Sequence, residues 1–329
     1  MRTKTPHAPS QRSRRRVLRP GTHVLRRSAD ELQVGLDPRR AVVLPDRPEV
    51  RVLLDGLRSP ASSLAEEEYD GRTLELLDAS GLLVDADLLI PLAPAPSLSK
   101  GTAPAGASIS RADVAALAAH SGDRAVDLLS HRGSARIHVA TCGSVEATTV
   151  AAGLGELLTR AGTSPTLLEH RQTTSGSAAG PAAGARIGVL VAVGEPDREA
   201  LDGWIRDGLP HLVLRVTEGA ALVGPLVVPG ETACLRCIDA HHTDVDPGWP
   251  LLVTQQAAAV NRGREDSLPE PVDSLLATLA AAWAAREVVS FVEGRRPATT
   301  ATTVRLDPHL TALETQTWPR HPACGCAWE

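Results

Sequence analysis

The sequence predicts an α/β protein: a doubly wound sheet preceded by a small helix-and-hairpin domain and stitched together by four cysteines. Three observations carry this. After residue 135, strand-like and helix-like segments alternate. A Pro/Ala/Ser/Gly-rich stretch, "PLAPAPSLSKGTAPAGAS" (91–108), divides the chain as a linker does. Two close cysteine pairs, Cys234/Cys237 and Cys324/Cys326, stand far apart in a chain of only 5 cysteines. The resulting layout is a basic tail (1–17), a small domain (18–92), a linker (93–109) and a sheet domain (110–329).

The tail carries most of the charge asymmetry. Residues 1–29 hold Lys4 and eight arginines with no acid, whereas the whole chain of 329 residues has a net charge of −5. A basic arm on an acidic body admits a polyanion partner. Yet the arm has no interleaved aromatics for stacking on bases, the rest of the chain is acidic, and the helices expected around 48–57 and 70–80 are mixed or acidic ("EEEYD" at 66–70). Nucleic acid is therefore disfavoured, and a solvated tail is the simpler reading. Aromatics are 2% of the chain, so Leu, Val and Ala must fill the core. No run of 18 apolar residues predicts a membrane span, and the basic N-terminus lacks the apolar stretch of a signal peptide. The expectation is a cytoplasmic protein whose thiols stay reduced.

In the first domain, "HVLRRSADELQVGL" contains two short strand-like runs, 22–27 and 31–36, around Ser28-Ala29-Asp30, a hairpin pattern. "AVVL" (41–44) supplies a third strand. Helices follow at 48–57 and 70–80, and "GLLVDADLLI" closes the unit as a short strand pair. Helices with a β-wing compose a winged-helix arrangement. Beyond the linker, helices are predicted at 110–120, with Ser110 as N-cap, and at 122–131.

The sheet domain opens with "RIHVAT" (136–141), a turn at Gly143, a helix over 144–161 and a second strand at 166–170. This β-turn-α-β order begins a doubly wound sheet. "RQTTSGSAAGPAAGA" reads as a flexible loop. "RIGVLVAV" (186–193) is apolar throughout, as a parallel strand buried on both faces must be. A helix at 197–207, a strand at 211–217, two short strands around Gly224-Pro225, a long alanine-rich helix (271–293) and late strands complete the domain.

Cys234-x-x-Cys237 and Cys324-x-Cys326 supply four thiolates from two short knuckles, a Cys₄ set for tetrahedral Zn²⁺. Four thiolates close the coordination shell, so such a zinc is structural. Reduced buried cysteines or a regulatory disulfide are the alternatives, with His241 or His321 as variant ligands. His241, His242, Asp244 and Asp246 read as a loop-shaping group rather than a second metal site. Cys142 reads as a packing residue.

"GLPHLVLRVTEGAALVGPLVVPGETACLRC", then "DVDPGWP", then "HPACGCAW" resemble the ThiF/MoeB-like family of the ubiquitin-activating-enzyme-like fold. Within it, they resemble the actinobacterial branch of cyclodehydratase partners, the TOMM precursor leader-peptide-binding proteins. The resemblance spans 135–329, and more weakly 18–90. It implies a Rossmann-like ThiF-type domain, with Cys234, Cys237, Cys324 and Cys326 as zinc ligands. It also implies a winged-helix-like domain that recognises a precursor peptide. The partners it implies are that leader peptide and a YcaO-type cyclodehydratase or similar modifying enzyme, with a homodimer left open.

The family's ATP site carries over poorly. The phosphate turn expects G-x-G-x-x-G, and the chain reads Thr141-Cys142-Gly143-Ser144-Val145-Glu146. Only the middle glycine, Gly143, remains, and the third is Glu146; Gly143 and Ser144 would have to serve the phosphates, with Glu169 as the acid that would hold a ribose. Arg171-Gln172 is a faint remnant of the next motif, and the metal-associated aspartate is displaced to Asp197. The expectation is a non-catalytic or weakly catalytic, peptide-presenting protein. The alternative is an active adenylyltransferase that activates a carboxylate with ATP.

Overall fold

The computed structural model describes residues 15–58, 71–88, 109–168, 186–262 and 270–326. Most of the basic tail, most of the linker, and the Ser/Gly/Ala loop with Glu169, Arg171 and Gln172 lie outside the described residues. The chain forms two compact units, residues 1–128 and 129–329.

The first unit contains β1 (Arg16–Leu18), β2 (Val24–Arg26), β3 (Glu31–Val34), β4 (Val42–Pro45), α1 (Pro48–Gly56), α2 (Gly71–Ala79), β5 (Leu83–Asp85) and α3 (Arg111–Ser121). The hairpin forms as its turn residues dictate. β2 and β3 pair antiparallel, β4 joins β3, and the order is β2-β3-β4. The alternation of β4 sends Val42 and Leu44 inward, where they meet Leu53, Leu54 and Leu77 from the helices. Val43 and Leu25 face outward in one row across the sheet, with Gln33 between them. β5 pairs with β1, so the start of the described chain and the end of this hairpin-and-helix segment are stapled together. Ser110 caps α3 by accepting from the Asp113 amide, as its position predicts.

α4 (Ala125–Ser134) crosses from one unit to the other. The second unit is a seven-stranded mixed sheet. Its strands are β6 (Arg136–Gly143), β7 (Ser164–Leu167), β8 (Arg186–Val193), β9 (His211–Thr217), β10 (Ala220–Val227), β11 (Thr302–Leu306) and β12 (Leu313–Thr317). The order is β12-β11-β10-β9-β8-β6-β7. β7, β6, β8 and β9 are parallel, and β10 to β12 extend the sheet antiparallel.

Helices cover both faces. α5 (Glu146–Arg160) and α9 (Ser274–Val292) pack on one, against Val189, Val191, Leu212 and Leu214. On the other, α6 (Asp202–Arg206) and α7 (Leu235–Val245) bury Trp204, Leu235 and Ile238 against Leu190 and Val213. α8 (Trp249–Arg262) follows α7. A Cβ on Gly188 would stand 2.7 Å from the Trp204 ring, so glycine in mid-strand makes room for the indole.

Three expectations change. Among the described residues, "GLLVDADLLI" gives one strand, β5, which pairs with β1, followed by a 3₁₀ turn, not a strand pair of its own. The region around Gly224-Pro225 is one strand, β10, with an irregularity between Val223 and Leu226, not two strands. A Cβ on Gly224 would lie 2.2 Å from the Thr302 carbonyl oxygen, so this glycine keeps β10 against its neighbour. α9 is long and apolar enough by composition to cross a membrane. Here it supplies ten buried residues to the unit, among them Ala280, Ala284 and Val288. Its alanines let it lie close to the sheet.

Candidate metal centre and adjoining cleft

The metal site begins at a tight turn. Val228 donates its amide to Thr232 Oγ1 and accepts the Thr232 and Glu231 amides, which swings the chain from β10 toward α7. Cys234 is the N-cap of α7 and Cys237 lies in its first turn. The second knuckle is a short 3₁₀ turn, Pro322–Cys324, followed by Gly325 in the left-handed region at φ 78°. That conformation reverses the chain over a single residue. It brings Cys324 and Cys326 to one point despite the one-residue gap.

The four sulfurs converge. Cys234 Sγ is 3.9 Å from Cys237 Sγ and 3.5 Å from Cys324 Sγ, and Cys237 Sγ is 3.4 Å from Cys326 Sγ. All four lie within 4.8 Å of one another. A tetrahedral zinc with bonds of about 2.3 Å has sulfurs about 3.8 Å apart, so the donor set fits that ion in number, softness and spacing.

Cys234 and Cys237 are buried among Val227, Ala233 and Trp318. Hydrogen bonds from Cys234 and Cys324 hold the Cys237 thiol well below its ordinary range, while the Cys234 thiol is driven up as the donor. Burial, then hydrogen bonding to Cys237, pushes Cys326 up to about 12.

His241, Asp244 and His321 also cluster. His321 Nδ1 accepts the Ala323 amide and its Nε2 meets Asp244 Oδ2 at 3.0 Å, while His241 Nε2 donates to the Pro319 carbonyl. Both nitrogens of His321 are committed, so the group ties the C-terminal knuckle to α7.

The remnants of the phosphate turn do not form an open cradle. β6 stays paired with β8 as far as Gly143 opposite Val193, and the Ser144 amide donates to the Val193 carbonyl at 3.2 Å. A Cβ on Gly143 would stand 2.2 Å from that carbonyl, so close strand approach already explains the glycine. Val260 of α8 packs on Gly194 at the neighbouring strand end. Glu146 occupies the first turn of α5, where it competes with any anion for the helix end. Asp197 caps a 3₁₀ turn by accepting the Glu199 amide. Cys142 is buried, which raises its thiol and leaves it inert.

One feature was not anticipated from the sequence. Arg198 makes a bidentate bond to Asp239, at 2.7 and 2.9 Å, and donates to Glu195 and the Pro196 carbonyl. Glu195 also receives Arg215, and Asp239 also receives the Trp249 indole N–H. This network lines a cleft of about 940 Å³ in the second unit. The signal available was Arg215, a charge inside the otherwise apolar "HLVLRVT" strand.

No family model and no curated protein matches the chain. Solved structures do resemble it. A heterocyclase in complex with substrate and cofactor matches at 17% identity and TM-score 0.60, over 94% of this chain and 39% of that one. The heterocyclase TruD matches at 18% and 0.60, over 95% and 42%. The chain therefore spans about two-fifths of those heterocyclases. Escherichia coli MccB with MccA matches at 13% and 0.53, over 95% of this chain and 99% of that one. At such identities the likeness is one of fold.

Proposed function

We propose that this protein is a non-catalytic, ThiF-like component of a peptide-modifying system. It binds a precursor leader peptide and presents it to a partner enzyme such as a YcaO-type cyclodehydratase. The observation that carries the reading is the Ser144–Val193 hydrogen bond, which commits a phosphate-turn amide to the sheet. Adenylylation needs a phosphate cradle, a cation for developing charge and a metal anchor. Gly143 and Asp197 are each occupied by structural duties. A fold can persist after its chemistry is lost, and the fold is shared with heterocyclases and MccB.

The winged-helix-like first unit is the recognition element in this reading. An extended peptide adds to an edge of the β2-β3-β4 sheet through main-chain hydrogen bonds, with side chains setting specificity. Leu25 and Val43, each about two-fifths exposed, offer apolar contacts at the two edges. Cys234, Cys237, Cys324 and Cys326 hold a structural Zn²⁺ that fixes the chain end to α7. Bound there, zinc supplies a closed cross-link and no reactive position.

The second reading is an active adenylyltransferase, favoured by the likeness to MccB, which has been solved with AMPCPP at TM-score 0.51. One experiment separates them. Candidate leader peptides encoded beside this protein are titrated against the full chain, and ATP–pyrophosphate exchange is measured on the same preparation. Peptide binding without exchange supports presentation; exchange overturns it.

A further inference from the structure

Arg215 is 8% exposed yet only half paired. Its Nη1 donates to both oxygens of Glu195, at 2.8 and 3.1 Å. Its Nε is buried without a partner, and its hydrogen bonds and ion pair among the described residues all run through Nη1, leaving Nη2 out. Arg198 beside it is the opposite case, with carboxylates or a carbonyl on every nitrogen. A guanidinium has five N–H donors in a rigid fork. Glu195 locks one side of that fork, and Arg215 lines the cleft. A buried charged donor left unmatched is costly unless something completes it.

The cleft wall next to this arginine is aromatic, in a chain with few aromatics. The His242 ring lies 4.4 Å from Trp249 and 5.2 Å from Trp318, and all three line the cavity. The cavity falls within the roughly 300–1,000 Å³ of small-molecule sites. Its charged lining is three arginines against four carboxylates. A dianion such as a phosphate monoester would meet that excess of negative charge, whereas a single carboxylate matches the single free fork.

We propose that this cleft binds a small monocarboxylic acid with a planar apolar body. Its carboxylate sits on the free edge of Arg215, and its body lies along the Trp249–His242–Trp318 wall. The site lies within residues 129–329 and stands independently of leader binding by the first unit.

The test compares N-acetyl-L-tryptophan with its uncharged amide by calorimetry on the full chain. The acid binds saturably at millimolar concentration or below, and the amide binds at least about tenfold more weakly. Arg215→Gln removes the preference for the acid. Trp249→Leu weakens acid and amide together, because it removes stacking and leaves the charge. Arg160→Gln, an exposed arginine at the end of α5 and outside the cleft, leaves the acid within about twofold. Near-UV circular dichroism checks folding; if Arg215→Gln unfolds, the acid-to-amide ratio of the wild type and the Trp249→Leu result decide. Equal binding of acid and amide, or no binding of either by the folded wild type, overturns the proposal.

Discussion

Cys237 Sγ and Cys326 Sγ stand 3.4 Å apart, although the first belongs to a helix in mid-sheet-domain and the second to the end of the described chain. Together with Cys234 and Cys324 they join α7 to the segment after β12. Trp318, which packs on His241 and His242, rides on that segment. A cross-link here stabilises by holding the chain end in place.

Purified protein is therefore expected to contain about one zinc per chain. Cys237→Ser lowers zinc content and melting temperature together, and strong chelators have the same effect on the wild type. Elemental analysis paired with thermal melts checks this. Metal-free protein with an unchanged melt would remove the zinc assignment.

Nucleotide is expected to bind more weakly than millimolar, with no pyrophosphate exchange. The Ser144 amide and Gly143 serve the β6–β8 pairing, and Glu146 opposes phosphate at the start of α5. Thr141→Gly with Glu146→Gly relieves the charge but not the pairing. Binding improves slightly and turnover stays absent. Calorimetry with ATP and an exchange assay on both proteins decide it.

His211 gives a pH signature. Burial lowers its imidazole to about 4, while its Nδ1 bonds the Leu209 carbonyl and its ring packs on Trp204. The folded state favours the neutral ring. Its stabilising share is complete above the unfolded value of about 6.5 and is lost as pH falls toward 4. The total is on the order of 3 kcal/mol. Urea unfolding at pH 7, 5.5 and 4.5 is expected to show a steeper loss in wild type than in His211→Leu. Parallel slopes would count against it.

Leader binding distinguishes two prolines. Val24 starts the edge strand β2, whereas Val34 is fully buried in the central strand β3. Val24→Pro weakens peptide binding several-fold with little change in melting temperature if β2 is the docking edge. Val34→Pro removes a ladder donor from the middle of the sheet and destabilises the unit outright. Titration of a labelled leader, with melts alongside, separates the two. Unchanged binding by Val24→Pro moves the docking edge to β4.

The sequence by itself determined the alternating α/β order, the hairpin before β4, the all-apolar β8 and the two short cysteine knuckles, whose meeting across about 90 residues the tertiary structure shows. Each is written in local spacing. Period-two alternation and turn residues need no distant partner to be read, and neither does a two-residue gap between thiols. Only the tertiary structure decided what Gly143, Gly188 and Gly224 are for, since each answers to an atom far along the chain: the Val193 carbonyl, the Trp204 ring and the Thr302 carbonyl. The same holds for Arg215. In sequence it is one charge in an apolar strand. Its meaning depends on Glu195, one strand away at the sheet's C-terminal edge, and on a helix that brings Asp239, His242 and the neighbouring Trp249 to the same cleft. Burial and hydrogen-bond partnership are properties of three-dimensional neighbours, and residue spacing does not encode them.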